Sequence, residues 1–177
     1  MILMKKHILA FLITWGLFLT CSAQKKHLDV GDSIPAFSLQ DQNGKTFDTK
    51  DYVGKKILVV YFYPKDESSV CTKEACGFRD SYADFTAAGA LVVGINSASV
   101  ESHKSFQQHR ELPFILLSDP NNQVLHQFGV GKKMGITGRE TFVIDLNGKI
   151  RYAFNALLSG NEHSQKALAF IKTMSGK

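Results

Sequence analysis

Long hydrophobic runs are nearly absent from this chain. The one extended apolar stretch, Ile8 to Leu19, is about a dozen residues, short of the roughly 20 that a membrane span needs. Runs of one charge are missing too. The basic residues are scattered, with nothing beyond Lys-Lys pairs, and a formal net charge of +5 is too weak to argue for nucleic acid. The histidines His103, His109, His126 and His163 lack metal spacing such as His-x-x-x-His, so they are expected to be solvated or lightly packed. No Ser-His-Asp order or phosphate-binding glycine loop stands out, and Gly129-Val130-Gly131 is too short to count. There is no internal repeat, low-complexity tract or linker. Cysteine is scarce, with three in 177 residues, and its placement organises everything else.

Residues 1–23 read as a removable signal. Lys5, Lys6 and His7 form a basic lead, Ile8 to Leu19 an apolar centre, and Cys21-Ser22-Ala23 a small-residue cleavage site before Gln24. Lipidation of Cys21 is the weaker reading, because Phe18-Leu19-Thr20 fits a bacterial lipobox poorly. The expected location is therefore a bacterial periplasm, without stable membrane insertion. Loss of Lys5 and Lys6 lowers the formal charge from +5 to +3. Residues 24–177 would form one domain, long enough for a real core, with Cys71 and Cys76 as its cysteines.

The segment around them is specific. Ile57 to Tyr63 is a continuous apolar run, as expected for a strand buried on both faces. Pro64 ends it, a polar turn follows, and a helical pattern starts at about Val70 and runs to Ala88, with Gly89 closing it. Cys71 thus lies at a helix N-terminus, where unpaired N–H groups and the dipole favour an anion. A free thiol is only a few per cent ionised near pH 7, and the thiolate is the reactive form. Residues five apart in an ideal helix are separated by about 7.5 Å of rise and about 140° of rotation, which puts their Cα atoms roughly 8–9 Å apart. A disulfide needs less than about 7 Å. Cys71 and Cys76 therefore cannot bond inside an intact helix. A redox-active pair, a structural staple and a metal site remain open on this argument, although a bond that melts local structure suits a switch better than a staple.

The rest of the pattern alternates strands and helices. Residues 24–33 read as a frayed lead-in. Ala36 to Leu39 and Lys45 to Phe47 flank the turn signal Asp41-Gln42-Asn43-Gly44. Ala90 to Ile95 reads as a buried strand, Ser99 to Arg110 as a polar helix anchored by Phe106, and Phe114 to Leu117 as a short strand. Asn122 to Phe128 reads as a short helix. Thr141 to Leu146 and Ile150 to Phe154 form a hairpin through Asn147-Gly148, and Ser164 to Met174 a closing helix. This order predicts an α/β fold with a central mixed sheet flanked by helices. Ligands of open α/β sheets sit beyond the carboxyl ends of strands, and Pro64 to Cys71 follows such an end.

Pro64, Ser68 and Cys71 match Pro-x-x-x-(Thr/Ser)-x-x-Cys, and Cys76 follows five residues later. With Cys71 to Asp80, Pro113 to Pro120 and Gly138 to Asp145, they resemble the peroxiredoxins, in particular the bacterioferritin comigratory protein (PrxQ-type) group. The resemblance covers roughly residues 28–175. Ser68 stands where threonine is commoner, and Ser69-Val70 replaces a usual Pro-Gly. The resemblance implies a thioredoxin-like fold and a thiol-dependent peroxidase. Cys71 would attack a hydroperoxide and become a sulfenic acid. Arg139 would stabilise the thiolate and the developing negative charge, Ser68 would orient the peroxide, and Pro64 would shape the pocket. Cys76 would resolve the sulfenic acid into an intramolecular disulfide, reset by a thioredoxin-like dithiol. It further implies a monomer with no metal or organic cofactor. Glu74 reads either as partner to an arginine, Arg79 being the candidate, or as an ordinary acid near a helix start. Tyr63 and Met134 read as either pocket lining or core. The rivals are an exported thioredoxin-like thiol-disulfide oxidoreductase, which would carry Cys-x-x-Cys, a copper-binding assembly protein, which would carry Cys-x-x-x-Cys, and a disulfide-stapled binding module.

Overall fold

The computed structural model describes residues 27–133 and 135–175. The expected signal segment, Cys21 and Met134 lie outside them. Seven strands form one mixed sheet. They are β1 (Ser38–Asp41), β2 (Thr46–Asp48), β3 (Ile57–Phe62), β4 (Ala90–Asn96), β5 (Ile115–Ser118), β8 (Glu140–Ile144) and β9 (Ile150–Asn155), in the order β2-β1-β5-β4-β3-β8-β9. The central β3, β4 and β5 run parallel, while β8 lies antiparallel to β3 and β1 antiparallel to β5. A two-stranded ribbon, β6 (Lys132–Lys133) with β7 (Ile136–Thr137), stands apart.

The continuous apolar run of β3 is explained by its neighbours. Alternate side chains of a strand face opposite sides. Val59, Tyr61 and Tyr63 enter one buried cluster, and Leu58, Val60 and Phe62 enter the other. The first cluster is closed by α1 (Ser69–Asp80), α2 (Tyr82–Ala87), α3 (Val100–Arg110) and α5 (Gly160–Ser175), through Phe78, Phe85, Phe106 and Ile171. The second is closed by α4 (Gln123–Phe128), through Val124, Leu125 and Phe128. A polar strand in this place would leave buried groups without partners on both faces. The sheet flanked by helices is the architecture the sequence predicts, and no helix among the described residues is long and apolar enough to cross a membrane.

Three local readings are corrected. The single helix expected from Val70 to Ala88 breaks at Ser81, which leaves helical dihedrals (φ −103°, ψ 8°). Ser81 O then accepts from the Asp84 and Phe85 amides, starting a new turn. Serine competes for such boundary positions, so its place between two helices is chemically natural. The closing helix begins at Gly160, four residues before Ser164. A Cβ at Gly160 would stand 2.5 Å from Val70 O and 3.1 Å from Glu74 N. Glycine there lets α5 start against the first turns of α1. The lead-in is tied down rather than frayed, since Leu28 N donates to Phe128 O (3.1 Å) and Gly31 N to Ile150 O (2.8 Å).

Candidate active site

The turn between β3 and α1 delivers Cys71 as the third residue of α1. Ser68 occupies the N-cap position, but its hydroxyl donates backward to Lys65 O (3.2 Å) and makes no side-chain cap. The first-turn amides thus keep their preference for a nearby anion. Cys71 is fully buried and Cys76 half-buried, and both are free. Cys71 lines a pocket of about 280 Å³ with Pro64, Ser68, Val70 and Arg139, rimmed by Ile136, Leu157 and Leu158. Cys76 opens instead onto a separate depression between α1 and α5, with Lys73, Asp80 and Asn161. The two sulfurs therefore face different openings of one helix, as the rotation of about 140° requires.

Arg139 precedes β8 and is buried. Antiparallel pairing of Glu140 with Phe62 sets the start of β8 beside the end of β3, so a residue 68 positions away reaches Cys71. Arg139 Nη2 donates to Cys71 Sγ at 3.1 Å, Nη1 to Glu74 Oε2, and Nε to Leu157 O at 3.0 Å. Glu74 sits one turn past Cys71 on α1, so its arginine is Arg139 and not Arg79. Arg79 is occupied by Asp80 Oδ1 (2.9 Å) and Arg110 O (2.9 Å). Burial opposes the charge on Arg139, but the Glu74 carboxylate and the Cys71 sulfur outweigh it and raise its pKa above the ordinary value. Burial dominates at Glu74 and pushes its carboxyl up to about 8, against the pull of Arg139.

Two histidines expected to be solvated or lightly packed are fully buried, His103 and His163. His109 and His126 are exposed, as expected. His163 stands 3.4 Å from Glu74 Oε1 and 2.8 Å from Thr141 Oγ1. His103 serves the turn before Cys71. Its Nδ1 lies 3.0 Å from Asp66 Oδ2, and its Nε2 donates to Leu117 O (3.1 Å). Asp66 also accepts from the Tyr63 hydroxyl (2.7 Å), Asn96 Nδ2 (2.8 Å) and the Ser102 hydroxyl (2.7 Å). Tyr63 is thus core with its polar tip on Asp66, not pocket lining. This buried carboxylate pins the turn carrying Pro64 and Ser68 to β4 and α3.

Sequence reasoning missed that anchor, although a signal existed. His103 and the core anchor Phe106 are three apart on α3 and share a face. Burial raises the Asp66 pKa, but His103, Ser102 and Tyr63 outweigh it and hold it below the ordinary value. Its stabilising contribution is therefore present above about pH 4 and lost as pH falls through the lowered value. Asp66→Ala strands the Tyr63, Asn96 and Ser102 donors and is expected to destabilise the fold by about 3–5 kcal/mol, read from the urea midpoint near neutral pH. A loss under about 1 kcal/mol would mean that the anchor is not strained by removing its centre.

Residues 30–153 match the AhpC/TSA family. A curated relative from Suaeda salsa, Peroxiredoxin Q, chloroplastic, is 43% identical over 146 residues, covering 81% of this chain and 68% of the relative. Among solved structures, the peroxidoxin BcpB of Mycobacterium tuberculosis aligns with TM-score 0.78 and 34% identity, over 84% of this chain and 99% of that one. The bacterioferritin comigratory protein of Xanthomonas campestris, described for its alkyl peroxide reduction activity, aligns with TM-score 0.73 and 27% identity, over 81% and 99%. The periplasmic location expected from the N-terminus is corrected by the curated relatives, several of which carry the word chloroplastic in their names. A basic, apolar leader does not by itself distinguish one compartment from another. The copper-binding and disulfide-reductase readings find no support among these relatives. The chain belongs to the AhpC/TSA family, and within it to the peroxiredoxins, as a thioredoxin-dependent peroxidase with a thioredoxin-like fold.

Proposed function

We propose that the chain reduces hydrogen peroxide and organic hydroperoxides through Cys71, with Cys76 as the resolving cysteine. The observation that carries this reading is the Arg139 Nη2 to Cys71 Sγ hydrogen bond of 3.1 Å in a buried pocket at a helix N-terminus. The Cys71 thiolate attacks the terminal oxygen of ROOH, and the O–O bond breaks. Sulfur is oxidised to the sulfenic acid, and RO⁻ takes a proton to leave as ROH. Arg139 stabilises the charge developing on the oxygens. Pro64 walls the sulfur from water, and the Ser68 hydroxyl, at the pocket edge, orients the peroxide. The apolar rim of Ile136, Leu157 and Leu158 suits an organic R group as well as hydrogen.

The Cys76 thiol then attacks the sulfenic sulfur, forming the disulfide and releasing water. Both cysteines lie within α1, so the early turns of that helix must unwind for the bond to close. Gly160 of α5 seats against those turns, where a Cβ would stand 2.5 Å from Val70 O, and Gly77 seats a later turn of α1 against α5, where a Cβ would stand 2.7 Å from Ser164 Oγ. Unwinding therefore opens the contact between the early turns of α1 and the start of α5. A thioredoxin-like dithiol resets the disulfide by exchange. The cycle needs one chain only, as a monomer would supply it, since both cysteines lie in α1.

The test is anaerobic titration with hydrogen peroxide and an alkyl hydroperoxide. Cys76→Ser is expected to consume one equivalent and then stop with the sulfenic acid trapped, seen by mass spectrometry after capture with a dimedone-type probe. Steady turnover of that variant with thioredoxin at the wild-type rate would remove Cys76 from the cycle.

A further inference from the structure

A buried carboxylate oxygen behind the reacting cysteine has no hydrogen-bond donor among the described residues. It is Glu74 Oε1. The other oxygen, Oε2, holds Arg139. Oε1 faces His163 Nδ1 at 3.4 Å. On the far side of the ring, His163 Nε2 lies 3.0 Å from Ala156 O. A carbonyl can only accept, so Nε2 carries a hydrogen. In neutral His163 the Nδ1 lone pair then takes the Thr141 hydroxyl at 2.8 Å. Nδ1 then has no hydrogen to give Glu74 Oε1, which stays without a donor although both residues are fully buried. Such an arrangement is costly unless a proton stands between them.

The charges of the cluster say when that proton is needed. With Cys71 as a thiol, Arg139 and an ionised Glu74 balance. With Cys71 as a thiolate, the same three groups carry one net negative charge in a buried site. One proton on the Glu74–His163 pair restores neutrality. Arg139 is then released to serve Cys71 as its counter-ion. We propose that Glu74 and His163 together hold one proton while Cys71 is a thiolate, and that His163 is a positioning residue acting on Cys71 through Glu74 and Arg139. This rests on the assignment of Cys71 as the reacting sulfur.

The surroundings agree. Burial raises the Glu74 carboxyl to about 8, while burial, with the Arg139 charge adding to it, lowers His163 to about 4. The carboxyl is thus the side on which the proton rests. The other charged or titratable groups that bear on the pair are Tyr61 from β3, whose buried hydroxyl is held protonated by burial and by Glu74 itself, and Glu162 from α5. Glu162 is exposed and shares Lys166 at 3.6 Å, which weakens its hold on the ring. The ring is fixed edge-on against Phe154, with centroids 4.8 Å apart. The proton is neither consumed nor donated to substrate, since Glu74 and His163 do not line the pocket.

Isotope-edited infrared and histidine nitrogen NMR on the reduced protein near neutral pH read the pair directly. Wild type is expected to show either a protonated-carboxyl stretch that vanishes in Glu74→Gln, or an imidazolium signature at His163 that vanishes in His163→Gln. Cys71→Ser, which has no thiolate to balance, is expected to lose that proton at a lower pH than wild type does. A pair without a proton in wild type near neutral pH, or one that loses its proton at the same pH in Cys71→Ser as in wild type, overturns the proposal. His163→Gln should lower the peroxide rate about tenfold and shift its pH profile. A flat loss at every pH would mark His163 as structural and also overturn it. The peroxidase reading fails separately, if Cys71→Ser still consumes peroxide as fast as wild type while the proton responds to Cys71.

Discussion

Cys71→Ser is expected to end peroxide consumption, with the rate falling on the order of 10⁴-fold or more, as when other enzymes lose a nucleophile. Serine is close in size and keeps the buried site filled, so the fold should survive and the loss should be chemical. A serine hydroxyl beside Arg139 has no accessible anion near neutral pH, and nothing in the site acts as a base toward it. The variant carries its own control. Cys76 stays free and half-buried on the other side of α1, away from Arg139. It should react with peroxide at the slow rate of an ordinary thiol. Stopped-flow mixing under anaerobic conditions separates the two regimes. A Cys71→Ser protein that consumes peroxide as fast as wild type would move the reaction to Cys76 and invert the roles proposed above.

What the sequence could reveal follows from the range of each interaction. The β3 run, the proline stop and the helix start, expected at about Val70 and found at Ser69, are local, and they are read from neighbours in the chain. The hairpin through Asn147-Gly148 is local as well, with Asp145 N donating to Lys149 O at 2.9 Å. The buried polar groups are different. Glu74 meets Arg139 across 65 positions, and Asp66 meets Asn96 across 30. In the sequence each looks like a surface residue, because a side chain's partner is chosen by the sheet order and not by its neighbours. His163 did leave a trace. It lies four and eight positions before Ala167 and Ile171, both fully buried on α5, so it shares their face. A polar residue on the apolar stripe of a helix marks a buried partner. The family resemblance supplied Arg139, but not the Glu74–His163 pair behind it.

Arg139→Leu is expected to slow peroxide reduction by about 10²–10³-fold, the usual cost of losing a donor aimed at developing negative charge. Three bonds are lost together, to Cys71 Sγ, Glu74 Oε2 and Leu157 O. Arg139→Lys should recover part of the rate, because it keeps the charge without the fork that holds sulfur and carboxylate at once. The stability of Arg139→Leu should also depend on pH in a defined direction. A carboxyl with a raised folded pKa binds its proton more tightly in the folded state, so stability falls as pH rises from the ordinary value toward the folded one. In wild type that fall ends near the Glu74 value of about 8. Without Arg139 nothing draws the value down, and the fall continues at up to about 1.4 kcal/mol per pH unit. Urea denaturation should therefore show a small difference from wild type near pH 6 and a growing one above pH 8. An unchanged peroxide rate would remove Arg139 from the reaction. A difference in stability that stays constant from pH 6 to above pH 8 would mean that Glu74 does not depend on Arg139 for its charge.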